Sequence, residues 1–204
     1  MSSHHFVKEQ QEPAVFILAV EEISFETVAP LLEWSPTLLV AQEAVEAVLS
    51  WGIKIDVVLG TLEFQSENGH LLEEQYPLRF LAVPTGSTLE EGIHYLLASQ
   101  HKGVHLVGFD HQKHQQLEEK TLHLDLTLVD GDWKYYPVKV GQFSKWFAPS
   151  EIRLLATENQ PVEVANADGS LLFPVCYLTQ LEVPEGISTF ASTGIFWIGE
   201  RIRG

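Results

Sequence analysis

The sequence predicts an α/β fold in which an open, mostly parallel sheet with helices on both faces is followed by an all-β sandwich. Three observations carry this expectation. Short continuous apolar runs alternate with helix-period segments in the first half of the chain. A strict two-residue alternation then begins at Leu122, and beyond Trp133 only strand-like pieces separated by turn signals remain. The 204 residues are divided into two domains, 13–121 and 122–204, and 45% hydrophobic with 10% aromatic residues is ample to bury a core.

The first dozen residues are polar and end at Pro13, the composition of a loose lead-in. Residues 14–20 form an uninterrupted apolar run, as in a strand buried on both faces. A helix is expected from Phe25 to Leu32, stopped near Pro36, and residues 37–41 make a second buried strand. Between Glu43 and Trp51, the side chains of Ala44, Val45, Val48 and Leu49 share one helical face, and Gly52 ends the helix. Residues 57–59 form a third strand closed by Gly60, and a polar stretch rich in Glu and Gln leads to a fourth at 78–83, ending at Pro84.

The clearest helix starts at Thr88, with Leu89, Ile93, Leu96 and Leu97 on one stripe. Its start carries two overlapping capping boxes, Ser87-x-x-Glu90 and Thr88-x-x-Glu91. Residues 104–108 complete the parallel set. Residues 122–128 alternate as a half-buried strand should, and Asp130-Gly131-Asp132 reads as a hairpin turn. Turns at Asn166-Ala167-Asp168-Gly169 and Pro184-Glu185-Gly186 separate sandwich strands.

Charge narrows the partners. Twelve Lys+Arg against 28 Asp+Glu give a net charge of -16 with no basic run, which argues against nucleic acid and anionic membrane surfaces. The one cysteine, Cys176, builds neither a disulfide framework nor a cysteine metal cluster and fits a reducing compartment. The polar start has no apolar signal core, and no stretch approaches the roughly 18 apolar residues of a membrane span. The expectation is a soluble cytoplasmic protein.

Residues 52–60, Gly-Ile-Lys-Ile-Asp-Val-Val-Leu-Gly, placed after two βα units, are similar to the stretch G-I-x-P-D-V-V-I-G of the thiamine pyrophosphokinase family. Element order resembles that family from Val15 to Ile198. The resemblance implies an α/β domain that binds ATP and magnesium, a sandwich that helps bind thiamine, a homodimer, and transfer of pyrophosphate from ATP to thiamine. It points to Thr61, Glu63, Thr85 and Thr88 as catalytic positions, with Glu63 and Asp56 as metal candidates. Gly60 and Asp110 are the implied nucleotide-binding positions, and Ser188 and Trp197 the substrate-binding ones.

The same alignment shows what has changed. The family's D-F-D-S reads Thr61-Leu62-Glu63-Phe64, and its K-D-x-T-D reads Pro84-Thr85-Gly86-Ser87-Thr88. Threonine thus stands at three of four acid positions, where magnesium calls for hard, usually carboxylate, oxygens. The D-G-G-A turn has become Gln42-Glu43-Ala44-Val45, and after Gly108 the G-G-R-x-D-H element keeps only Asp110-His111. In the sandwich, Leu172-Phe173-Pro174-Val175 lies where the family has a tyrosine-proline pair, and the asparagine expected beside Ser188 is missing. The leading expectation is a catalytically degenerate homologue with a residual small-molecule role and no assured cofactor.

One alternative is an active thiamine pyrophosphokinase that recruits magnesium through Glu63, Asp56 and Asp110. Another is an unrelated α/β protein with a β extension. The bland readings are that these carboxylates are solvated loop groups, and that His101, His105, His111 and His114 are surface histidines, although His111-x-x-His114 with Asp110 could ligate a transition metal. Trp34 and Trp51 are expected to seal the α/β core, Trp133, Trp146 and Trp197 to sit in the sandwich core or an interface, and Glu118-Glu119-Lys120 to be a solvated connector.

Overall fold

A computed structural model describes residues 12–139 and 141–202, so all of the expected lead-in before Glu12 lies outside the described residues. Contacts divide the chain after Phe109 into two units, with residues 123–125 belonging to the first.

In the first unit five strands run parallel: β1 (Ala14–Ile17), β2 (Leu38–Ala41), β3 (Val57–Gly60), β4 (Arg79–Ala82) and β5 (Gly103–Val107), in the order β5-β1-β2-β3-β4. Every residue of β1, β2 and β3 is buried, whereas β4 at the edge has none that is. That contrast explains why the inner strands read as continuous apolar runs. The crossovers contain α1 (Phe25–Leu32), α2 (Val45–Ser50), α3 (Leu62–Glu67), α4 (Leu71–Glu74) and α5 (Thr88–Ala98). Helix α5 buries Ile93 and Leu96 from its apolar stripe.

The polar stretch after Gly60, to which the sequence assigns no element, folds as α3 and α4, started by a Thr61 cap and held by buried Leu71. Two expectations are corrected here. At α5 neither capping box forms, because the Ser87 hydroxyl donates to the Pro84 carbonyl at 2.8 Å instead. Trp34 seals nothing at 75% exposure, while Trp51 is half-buried with its ring centroid 6.2 Å from that of Phe25.

The second unit is a two-sheet β-sandwich preceded by short 3₁₀ turns at His111–Leu117 and Lys120–Leu122. Its strands are β6 (Asp125–Asp130), β7 (Trp133–Val138), β8 (Gly141–Phe147), β9 (Ser150–Leu155), β10 (Gln160–Asn166), β11 (Gly169–Val175), β12 (Leu178–Val183), β13 (Gly186–Ser192) and β14 (Phe196–Arg201). One antiparallel sheet has the order β12-β9-β14-β7-β6 and the other β11-β10-β13-β8.

Alternation assigns the faces. Leu154, Phe196 and Ile198 meet Val162, Val164 and Phe190 in the sandwich interior. The in-register row Leu178, Leu155 and Trp197 takes the other face of the first sheet, where Trp197 meets His114 of the 3₁₀ turn edge-on. The expected turns are present, including a two-residue hairpin loop at Gly131-Asp132. No helix among the described residues is long and apolar enough to cross a membrane.

Candidate functional site

Open α/β sheets bind ligands beyond the carboxyl ends of their strands. In the first unit that edge is occupied by Gln42 after β2, Thr61 after β3 and Gly108 after β5. The Gln42 Oε1 accepts the Thr61 backbone N–H at 2.8 Å, and Thr61 Oγ1 accepts the Phe64 N–H at 3.2 Å as the cap of α3. A Cβ on Gly60 would stand 2.9 Å from Gln42 Oε1, so the glycine accommodates a side chain of the protein itself. Gly108, at φ +75°, packs so closely on Ala19 that a Cβ would fall 2.0 Å from its carbonyl oxygen. Glu63 and Thr85 are exposed, and Thr88 is the half-buried first residue of α5.

Asp56 belongs to the opposite edge. It precedes β3, and its Oδ2 accepts the Leu38 N–H at 2.8 Å, fixing the start of β2 beside β3. Four strand residues, about 13 Å of chain, separate it from Thr61. Asp56 and Glu63 therefore do not converge.

The amino-end edge holds a cavity of about 390 Å³, lined by Thr37, Asp56, Arg79, Tyr95, Ser99 and His101 among others. The Ser99 hydroxyl donates to the Tyr95 carbonyl at 2.6 Å and so accepts from His101 Nδ1 at 2.9 Å. His101 Nε2 is left to accept the Thr37 hydroxyl at 3.1 Å. His101 is only 5% exposed, and burial pushes its pKa down, which keeps the ring neutral.

In the second unit Asp110 is exposed, caps Gln112 N–H at 3.0 Å and lies 3.6 Å from Lys113 Nζ. The backbone N–H and Nδ1 of His111 both reach Asp130 Oδ2, at 2.9 and 2.6 Å, and the His111 ring stacks on Tyr135 at 5.1 Å. The bond from His111 holds the Asp130 carboxyl below the usual carboxylate range. One donor atom each from Asp110, His111 and Asp130 lie within 4.8 Å of one another.

His114 is 3% exposed, bonds the His111 carbonyl through Nδ1 at 3.1 Å, and has no partner at Nε2. Burial pushes its pKa down as well. His111 and His114 line a cavity of about 410 Å³ together with Gln112, Gln115, Leu155 and Tyr177. Ser188 and Trp197 are fully buried, but Ser188 lies on the strand face that carries Phe190 into the sandwich interior and Trp197 on the other side of its sheet. The fold does not bring those two together.

Sequence reasoning missed the burial of His101 and His114, and the partial burial of Glu118, whose carboxyl is pushed up by desolvation. It also missed Glu200, which accepts from Tyr136 at 2.5 Å and from Lys145 at 2.5 and 2.7 Å. Only the His-x-x-His spacing offered a signal.

No family model matches the chain, and no curated protein does. Solved structures do. Thiamin pyrophosphokinase from Geobacillus thermodenitrificans superposes with a TM-score of 0.71 at 11% identity, over 94% of this chain and 98% of that one. The Bacillus subtilis enzyme gives 0.72 at 10% identity, over 94% and 100%. Yeast thiamin pyrophosphokinase gives 0.70 at 9% identity, over 95% and 87%. The order of parallel sheet then sandwich is shared with them, and at these identities the likeness is one of fold: this chain has the fold of the thiamin pyrophosphokinases.

Proposed function

We propose that this is a thiamin pyrophosphokinase-like protein that no longer transfers pyrophosphate and keeps a small-molecule binding role. The observation that carries the reading is the Gln42–Thr61 bond at the carboxyl ends of β2 and β3. Pyrophosphoryl transfer places negative charge on phosphate oxygens, and magnesium offsets it when held by hard anionic oxygens. At this edge a neutral amide closes the gap above Gly60, the Thr61 hydroxyl serves as a helix cap, and Glu63 is the one carboxylate among the four family positions. That donor set does not fit a magnesium–nucleotide centre. The rival reading, with magnesium on Glu63, Asp56 and Asp110, is opposed by the placement of Asp56 at the far edge of the sheet.

A retained binding role is supported by cavities of about 390 Å³ in the first unit and about 410 Å³ in the second, within the size range of small-molecule sites. A homodimer is supported by Trp146 and Ile187, directly opposite in register on β8 and β13 and 57% and 65% exposed. A cytoplasmic location accords with Cys176, exposed and unpaired. Calorimetric titration tests the reading: ATP with magnesium should give no saturable heat, and thiamine is the first small molecule to try. Tight ATP–magnesium binding would overturn the inactive assignment. Sedimentation equilibrium tests the dimer, which Trp146→Glu should dissociate.

A further inference from the structure

We propose that the open edge of the sandwich at β11 docks an extended, basic segment of a protein partner, which adds to the sheet as a further strand. The inference is independent of the thiamine-related reading and uses only the second unit. Strand β11 ends its sheet, at the opposite edge from β8 and Trp146. A two-residue loop, Ala167-Asp168, joins β10 to β11, with Asn166 opposite Gly169. Residues that flank such a loop exchange both backbone bonds, and the pattern then alternates along the pair. Leu171, Phe173 and Val175 therefore turn their backbone groups to β10, and the Val175 carbonyl accepts the Asn159 N–H on that side at 2.8 Å. The N–H and C=O groups of Ser170 and Leu172 face the open edge.

Native sheets blunt such edges with lysine, proline or a covering element. Pro174 stops pairing at one end of β11, but residues 169–172 carry neither proline nor lysine. Both leucines there are exposed, Leu171 at 66% and Leu172 at 67%, although successive side chains of a strand point to opposite faces. Leu171 shares the inward face with Phe173 and stands opposite Val164 of the core. With Phe173 and Leu181 it lines a cavity of about 300 Å³ flanked by β11 of one sheet and β12 of the other. Residues directly opposite each other in a sheet point to the same face, so an added strand places an apolar side chain beside Leu171 at this cavity.

Charge selects the occupant. Asp168 and Glu182 line the cavity, Glu151 joins them on the adjoining one, and neither wall holds a lysine or arginine. Among the described residues no ion pair engages Asp168 or Glu182. A second copy of this chain would bring the same acids and a net charge of -16 to the edge, whereas a segment carrying lysine or arginine is attracted to it. In strand addition, main-chain bonds supply affinity and the pocketed side chains supply specificity. A small organic cation would use the acids but leave the backbone edge unpaired.

The test is titration of the full chain with the synthetic peptide acetyl-Lys-Val-Arg-Leu-Arg-Val-Lys-amide, with amide hydrogen exchange read by NMR. Saturable binding is expected, and it should slow exchange at the Ser170 and Leu172 amides while those of Leu171 and Phe173, already turned to β10, change little. Leu172→Pro removes an edge N–H and should weaken binding about 10-fold, and Leu172→Ala, which keeps it, by less. Asp168→Asn with Glu182→Gln should weaken it about 3-fold and flatten its salt dependence. Because Leu172→Pro could unfold the sandwich, Leu171→Lys, which sets a like charge at the cavity, provides a second reading and should abolish saturation. The same peptide N-methylated at its three central residues, which blocks both of its edges, should not bind. The proposal is overturned if no saturable binding occurs, or if the folded Leu172→Pro chain or the N-methylated peptide binds as before, which would leave a charge contact alone. It also falls if the Ser170 and Leu172 amides become protected with protein concentration in the absence of peptide, which would give the edge to a second copy.

Discussion

The two units treat their buried polar atoms differently. Among the described residues, the five buried side-chain atoms without a partner, His114 Nε2, Glu118 Oε1, Arg153 Nε, Ser188 Oγ and Trp197 Nε1, all belong to the second unit. The first unit instead uses its side-chain polar groups as fasteners. His101 ties the end of α5 to the start of β2, Asp56 ties β3 to β2, and Gln42 and Thr61 close the carboxyl ends. Among the positions where the thiamine pyrophosphokinase resemblance locates catalysis, Thr61 is occupied as a helix cap and its backbone N–H is held by Gln42. Unspent hydrogen-bonding capacity lies in the sandwich and the 3₁₀ turn beside it.

Mutation can break or sharpen this contrast. The largest effect is expected for His101→Ala, which empties a buried ring and removes both of its bonds, costing about 2–4 kcal/mol by denaturant unfolding. Asp56→Ala should follow at about 1–3 kcal/mol, because the Leu38 N–H loses its side-chain partner at the start of β2. Thr61→Ala removes an N-cap and should cost about 1 kcal/mol. Ser188→Ala, on the second unit's side of the contrast, should lie within about 0.5 kcal/mol of neutral or be stabilising, since no protein bond is lost. A loss above about 2 kcal/mol there would mean that the hydroxyl is satisfied by bound water or ligand and would erase the contrast.

Acid should act on both units. His101 and His114 have pKa values pushed down by burial, so between those values and about 6.5 the folded chain binds fewer protons than the unfolded one. Stability is then full at neutral pH and falls as pH drops below about 6.5. Asp130, held low chiefly by His111, adds a further loss below about 4. Unfolding midpoints measured from pH 7 to 4 check the sign, and a midpoint that rises on acidification would contradict it.

Much of the fold was legible because its signals are local. The run of eight residues Phe25–Leu32 folds as read, and the buried strands announce themselves as apolar stretches because both of their faces are covered. What was illegible depends on distant partners. His101 is stable inside because Thr37, 64 positions away, donates to it. Helices α3 and α4 come from a stretch whose composition is polar, so a cap and tertiary burial of Leu71 decide them rather than periodicity. The His111–His114 spacing was visible, but only the 3₁₀ geometry puts the pair on one wall, and a turn of that kind leaves no repeating pattern. At the candidate site, threonine at three of the four positions that the resemblance marks could be read directly, whereas the glutamine amide seated over Gly60 depends on a contact between residues 18 positions apart.

The central claim is that the carboxyl-end edge of the first unit no longer supports pyrophosphate transfer. Incubation of the full chain with ATP, Mg²⁺ and thiamine, followed by measurement of AMP, tests it most directly. The account predicts AMP no higher than in the absence of protein. AMP released in step with thiamine diphosphate, and abolished by Glu63→Gln, would contradict it.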